Sequence, residues 1–329
     1  MTGKRWIALG VAAVLFLFST VFTVLTQQLG SEVDDFIGAQ GMGVNEETMH
    51  AGTDAGKIAV VHIEGMLQDT GGDDFFSVGY NHSRVLNQLD RAAEDGEVHG
   101  VVLRVNTPGG GVVESDEIHD RVQAIQDDYG KPVYVSMGSQ AASGGYYISA
   151  PAEKIFANGQ TFTGSLGVIL QSFNVSELAE DLGIEAETFT SGEHKDFLSP
   201  FSESNEGEQE IAESIIDDAY EQFIDVIDDG RENLTRDEVY ELADGRIYTG
   251  NQAAENGLID DTGHLEDAVD SLQEDLDRGD LSVVEYVGGS GMPSLFGFAQ
   301  QLFPGSEQRQ LEYILQDNDG AELMYLYTE

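Results

Sequence analysis

Three short segments set small residues where backbone or a reactive side chain must come close to another molecule. The first is Asn106-Thr107-Pro108-Gly109-Gly110-Gly111, after a β-branched run ending at Val105 and before a helical stretch opening near Val113. Glycines at a strand-to-helix turn leave amide N–H groups free, and the positive end of the helix dipole adds to their pull on an oxyanion. A glycine turn that only joins two elements has the same composition. The second, Ala141-Ala142-Ser143-Gly144-Gly145-Tyr146-Tyr147, sets one hydroxyl at a helix start between residues too small to block a substrate. Ser143 there is either a helix N-cap or a nucleophile. The third is Ser191-Gly192-Glu193-His194-Lys195-Asp196-Phe197, whose Lys195 is one of five lysines, the others being Lys4, Lys57, Lys131 and Lys154.

Other chemistries find less footing. None of the 7 histidines lies in a His-Glu-x-x-His or similar ligand spacing, so no metal mechanism is expected, and no cofactor. Ser143 lacks the Gly-x-Ser-x-Gly elbow of an α/β-hydrolase. The stretch from Gly52 to Lys57 has neither the spacing nor the following Ser or Thr of a phosphate loop.

The order of motifs along the chain resembles the signal peptide peptidase A family. Asn106-Thr107-Pro108-Gly109-Gly110, Ala142-Ser143-Gly144-Gly145-Tyr146-Tyr147, Thr163-Gly164-Ser165-Leu166-Gly167-Val168 and Lys195-Asp196 follow one another as they do in that family. Asp244-Gly245-Arg246-Ile247-Tyr248-Thr249-Gly250 and Gly257-Leu258-Ile259-Asp260 are similar to its closing segments, and the likeness runs from about residue 57 to residue 285. The resemblance implies an α/β, Clp protease/crotonase-like domain with a parallel sheet and crossover helices. It further implies a serine endopeptidase that cuts signal peptide remnants or other apolar polypeptides, and a homo-oligomeric bowl on the outer face of a membrane. In this short, single-copy form the dyad is expected to be completed between protomers.

Carried over residue by residue, the resemblance makes Ser143 the nucleophile and Lys195 the general base. Ser165 orients the lysine amine, and the N–H groups of Gly110 and Ser143 hold the oxyanion. A lysine acts as a base only when neutral. Bringing an ordinary ammonium from about 10.4 to about 7 or 8 takes roughly 4 kcal/mol, which burial and an apolar peptide laid over the site would supply. One departure is His194, where the family more often carries an aromatic residue; a histidine beside the base could itself titrate. Two other readings compete: a crotonase-like acyl-thioester enzyme, which would bind coenzyme A, and an idle membrane scaffold, which would be indifferent to loss of Ser143.

The elements that must position these residues are legible as alternating runs. Ile58–Ile63, Val101–Val105, Val133–Val135 and Leu166–Leu170 read as parallel strands with helices between them. Ile211, Ile215, Ala219, Phe223 and Ile227 make a helical stripe opposite an acidic face, suited to a core or a subunit interface. The protease domain is expected over 57–288, with no internal repeat. Residues 289–329 form a tail whose Leu295, Phe296, Phe298, Leu302 and Phe303 can pack on a neighbour or touch the bilayer, and the sequence leaves both open.

Composition sets the surroundings. Against 61 Asp and Glu stand 15 Lys and Arg, a formal net charge of -46, which excludes nucleic acid as a partner. Charge this one-sided repels itself unless salt screens it, so a high-salt environment is expected. Cysteine is absent and says nothing of redox compartment. No charge occurs between Arg5 and Glu32, and the apolar run Trp6–Leu25 is long enough to cross a bilayer. Residues 1–30 are therefore expected to be a retained, single-pass transmembrane anchor. Lys4 and Arg5 put the N-terminus in the cytoplasm and the catalytic domain outside, with residues 31–56 as an acidic tether.

Overall fold

The computed structural model describes residues 45–69, 80–287 and 322–327. The expected anchor lies outside these; among the described residues no helix is long and apolar enough to cross a membrane. The chain opens with β1 (Asn45–His50), β2 (Lys57–Glu64), α1 (His82–Glu94), β3 (Val98–Thr107), β4 (Gly109–Gly111) and α2 (Val112–Asp127). β5 (Val133–Ala142) and α3 (Gly144–Tyr147) lead into β6 (Lys154–Ala157), β7 (Phe162–Gly164), β8 (Ile169–Gln171) and α4 (Ser176–Asp181). Then come α5 (Glu206–Gly230), α6 (Arg236–Leu242), β9 (Ile247–Thr249), α7 (Gly250–Glu255), β10 (Asp261–Thr262), α8 (Leu265–Leu276), β11 (Ser282–Val287) and β12 (Glu322–Leu326).

The main sheet runs in the order β1-β11-β2-β3-β5-β6-β10, with β7 continuing from β5 and β9 from β7. The pairs β11/β2, β2/β3, β3/β5, β5/β6 and β5/β7 are all parallel. Strands covered on both faces need apolar side chains at successive positions, as β2 shows: Ile58, Ala59, Val60 and Val61 are fully buried. On one face α8 sets Ala268 and Leu272 against Ile58, Val60, Val102 and Tyr134. Each such aliphatic side chain contributes about 1.5–3 kcal/mol by leaving water.

Three expectations are corrected. The tether over 31–56 is already part of the sheet at β1, beside β11, and Lys57 Nζ ties Glu46 of that strand and Asp95 at 2.7 and 2.9 Å. The strand expected at Leu166–Leu170 is instead two short strands, β7 and β8. Gly164 at φ 79° and Ser165 at φ 52° turn the backbone out of the extended region between them. The tail expected over 289–329, to pack on a neighbour or touch the bilayer, contributes a strand to its own domain: β12 joins a second, three-stranded sheet between β4 and β8.

The long helix is found where the stripe placed it, opened by a capping box of Asn205 and Glu208. Apart from the capping residue Glu208, its buried positions lie in the second half. Ala219, Phe223, Ile224 and Ile227 are buried, whereas Ile215 is exposed.

Candidate active site

β5 ends at Ala142 and α3 begins at Gly144, so Ser143 sits on the corner between strand and helix. Its φ of 54° and ψ of -116° lie outside the regions favoured by side-chain-bearing residues, at a typical cost of about 1–3 kcal/mol. Its side chain is fully buried, and Oγ makes no hydrogen bond. Strain and an unsatisfied buried hydroxyl are both disfavoured by folding alone, which separates Ser143 from a simple N-cap; no N-cap hydrogen bond is formed.

Across the ladder from Ala142 lies Gly164, and the carbonyl of Gly164 accepts the Ser143 N–H at 2.7 Å. The Ser143 amide, expected as an oxyanion donor, is therefore already engaged. The free amide belongs to the next residue: Gly144 opens α3, where helix N–H groups have no partner within the helix. Its backbone lies against the glycine turn. A Cβ built on Gly109 would stand 2.7 Å from the Gly144 nitrogen, and one on Gly144 would stand 2.6 Å from Ser115 Oγ. Gly109 has φ 102°, and the turn is held by Thr107 Oγ1, which accepts the Gly109 N–H at 3.0 Å.

The turn carries a bound strand, the chain's own β12. Tyr325 is in antiparallel register with Gly110, and Tyr327 N–H donates to the Pro108 carbonyl at 3.0 Å. By the alternation of an antiparallel ladder, the Tyr325–Gly110 pair is the next hydrogen-bonded one, with Gly110 N–H facing the Tyr325 carbonyl. That carbonyl oxygen lies 2.1 Å from a Cβ built on Gly109 and 3.2 Å from one built on Gly144. A peptide carbonyl thus rests on the glycine turn, close to the backbone of Gly144 and beside the Ser143 corner. On its other edge β12 pairs with β8, Met324 opposite Ile169.

The Tyr325 side chain fills a pocket and is fully buried. Its ring lies 4.9 Å from that of Tyr147 and 4.7 Å from that of Phe223, and its hydroxyl donates to the Ala219 carbonyl at 2.9 Å. Tyr147 Oη in turn donates to Asp116 at 2.8 Å. Burial, with the Asp116 carboxylate beside it, pushes the Tyr147 phenol well above its ordinary range; burial does the same to Tyr325, and both stay neutral.

Ser165 is also near this corner. It is buried at φ 52°, and its N–H donates to the Arg246 carbonyl at 2.7 Å. β9, from the segment Asp244–Gly250, pairs with β7 and so fixes this turn. Lys195 is not joined to the serines within the chain. It lies exposed in the turns between α4 and α5, and its ammonium meets no hydrogen-bond or ion-pair partner among the described residues. His194 is exposed too, with its ring against Gly207 at the start of α5.

The residues missed in the sequence are Gly144 as a free amide and the pocket of Ala219, Tyr147 and Phe223. The first was within reach, since the residue after a serine at a helix start carries an orphan N–H. The second joins α3, α5 and β12, which no local pattern connects.

A strained, buried serine beside a glycine turn that accepts a peptide strand is the construction of a serine peptidase. Comparison with known proteins agrees. The profile of peptidase family S49 matches residues 125–278. A protein of Enterococcus faecium named "Putative signal peptide peptidase SppA" is 41% identical, over 87% of this chain and 85% of that protein. Protease 4 of Haemophilus influenzae is 35% identical, over 66% of this chain and 34% of that longer protein. Among solved structures, a ClpP1 variant from Listeria monocytogenes aligns with 64% of this chain and 94% of its own, at 18% identity and a TM-score of 0.41. The chain belongs to peptidase family S49, the family of signal peptide peptidase A.

Proposed function

We propose that the chain is a membrane-anchored endopeptidase that cuts apolar polypeptides, signal peptide remnants among them, bound as an extended strand along Gly109–Gly111. The observation that carries this is β12, which lies on the glycine turn with a carbonyl at Gly110 and Gly144 and a side chain in the adjoining pocket. When a substrate strand takes the place of β12, Ser143 Oγ attacks the substrate carbonyl in that position. The oxyanion is held by the N–H groups of Gly110 and Gly144, and loss of one such donor typically costs about 3–4 kcal/mol of barrier. Lys195 of a neighbouring protomer, its amine oriented by Ser165, takes the seryl proton and gives it to the leaving amine; it then takes a proton from a water that attacks the acyl ester and returns it to Ser143 Oγ as the acid departs. Support for a base from a neighbour comes from Ser143 Oγ having no partner among the described residues and from Lys195 lying exposed. Trp6–Leu25 holds the enzyme in the membrane with the peptidase domain outside, in a high-salt medium, as a homo-oligomer.

The experiment is mixing. Ser143→Ala and Lys195→Ala proteins, each folded and assembled but inactive alone, are combined in molar salt with an unfolded apolar polypeptide. Recovery of part of the parent's rate in mixed assemblies is expected. Activity in unmixed Lys195→Ala protein would move the base to another residue, His194 first, and inactive mixtures would return the dyad to a single chain.

A further inference from the structure

Asp116, His119 and Asp120 on α2 follow the helical spacing i, i+3, i+4 and share one face. Each offers one ligand atom, and the three atoms lie within 4.8 Å of one another. The arrangement is not only an acidic surface. His119 is 7% exposed, and its Nδ1 makes no hydrogen bond. That nitrogen stands 3.5 Å from Asp120 Oδ1 without the alignment of a hydrogen bond, close to the roughly 3 Å that separates adjacent ligands at metal–ligand distances of about 2.1 Å. A buried imidazole nitrogen facing two carboxylates is unfavourable for the fold by itself, and a cation between them removes the fault.

Asp116 is already held in place. Its Oδ1 accepts from Tyr147 Oη at 2.8 Å and from Gln222 Nε2 at 2.8 Å, so α3 and α5 orient the carboxylate as outer-shell partners orient a metal ligand. The His119 ring packs at 5.4 Å from that of Tyr147. Asp120 is exposed and free to close the remaining distance.

We propose that Asp116, His119 and Asp120 bind a divalent first-row transition ion. One imidazole nitrogen and two carboxylates suit Mn2+, Co2+ or Zn2+, whereas Mg2+ and Ca2+ favour all-oxygen shells. With protein ligands on one side only, water completes the coordination. The ion has no part in peptide hydrolysis. It braces α2 against α3 and α5 through Asp116, and so stands independently of the roles proposed for Ser143 and Lys195.

The test uses full-length, chelator-treated protein in molar potassium chloride, which screens diffuse attraction of cations to the acidic surface. Mn2+ is titrated and followed by pulsed electron paramagnetic resonance. One tightly held ion per chain with nitrogen hyperfine coupling is expected, and His119→Gln and Asp120→Asn should each weaken it by about tenfold or more. Mn2+ bound without nitrogen coupling, or with unchanged affinity in folded His119→Gln protein, would reduce the cluster to surface carboxylates and overturn the proposal. Should His119→Gln fail to fold, the exposed Asp120→Asn change decides alone: parental affinity overturns the site.

Discussion

Replacing Tyr325 by alanine should open the active site rather than unfold the protein. The side chain is fully buried, stacked on Tyr147 and Phe223, and bonded to the Ala219 carbonyl. A buried tyrosine removes about 150–250 Å² from water, which at roughly 25 cal/mol/Å² bounds its contribution at about 4–6 kcal/mol. Comparable aromatic truncations cost about 3–5 kcal/mol. That loss falls on the docking of β12, whose backbone is held by its ladders to β4 and β8. A loss of about 3 kcal/mol multiplies the undocked fraction by roughly a hundred. Ser143, covered in the parent, would then react with a fluorophosphonate probe up to about a hundred times faster, with Ser143→Ala as the unreactive control. An unchanged labelling rate, together with a global fall in the unfolding midpoint, would refute the reasoning and make Tyr325 an ordinary core residue.

Further expectations follow from the same geometry. In peptides differing only at the residue before the scissile bond, Tyr should exceed Phe by about two- to tenfold in kcat/KM, the value of one hydrogen bond to Ala219 O; equal rates would remove that carbonyl from recognition. Gly109→Ala would place a Cβ 2.1 Å from the bound carbonyl oxygen, so kcat should fall by about 10²–10³, as measured on assembled protein with its circular dichroism intact. The attachment of β1 should be limited at both ends of the pH scale. The backbone N–H of Glu97 and the Lys57 ammonium hold Asp95 below its ordinary value of 3.8, so its contribution is present above that pH and lost on further acidification. Lys57 is lowered by burial, but the Glu46 and Asp95 carboxylates outweigh this and hold it above 10.5; its contribution is full below that pH and lost above it. Nuclear magnetic resonance of the β1 amides across pH checks both limbs, and Lys57→Met should abolish the alkaline one.

By itself the sequence determined the alternation of strands and helices, the long helix of α5, and the three segments where chemistry concentrates. These are local properties: runs of β-branched residues at Ile58–Ile63 and Val101–Val105, a four-residue apolar period, and small residues crowded at Gly109–Gly111 and Ser143–Gly145. It also determined family membership, because ordered motifs survive where whole-chain similarity does not need to be read. Tertiary structure alone decided which amide remains free at the serine corner. The Ser143 N–H is consumed by Gly164, a partner supplied by the parallel rung between β5 and β7 rather than by any neighbour in sequence. It decided that Glu322–Leu326 belongs in the site, since pairing with Gly109–Gly111 closes a loop of more than two hundred residues for which no periodic signal exists. Asp116, His119 and Asp120 match no ligand motif along the sequence; what sets them apart is the burial of His119 against Tyr147 of α3, with its Nδ1 left unbonded. Local pattern specifies what each segment is; hydrogen-bond satisfaction and burial, which depend on remote segments, specify which of its groups are left to act.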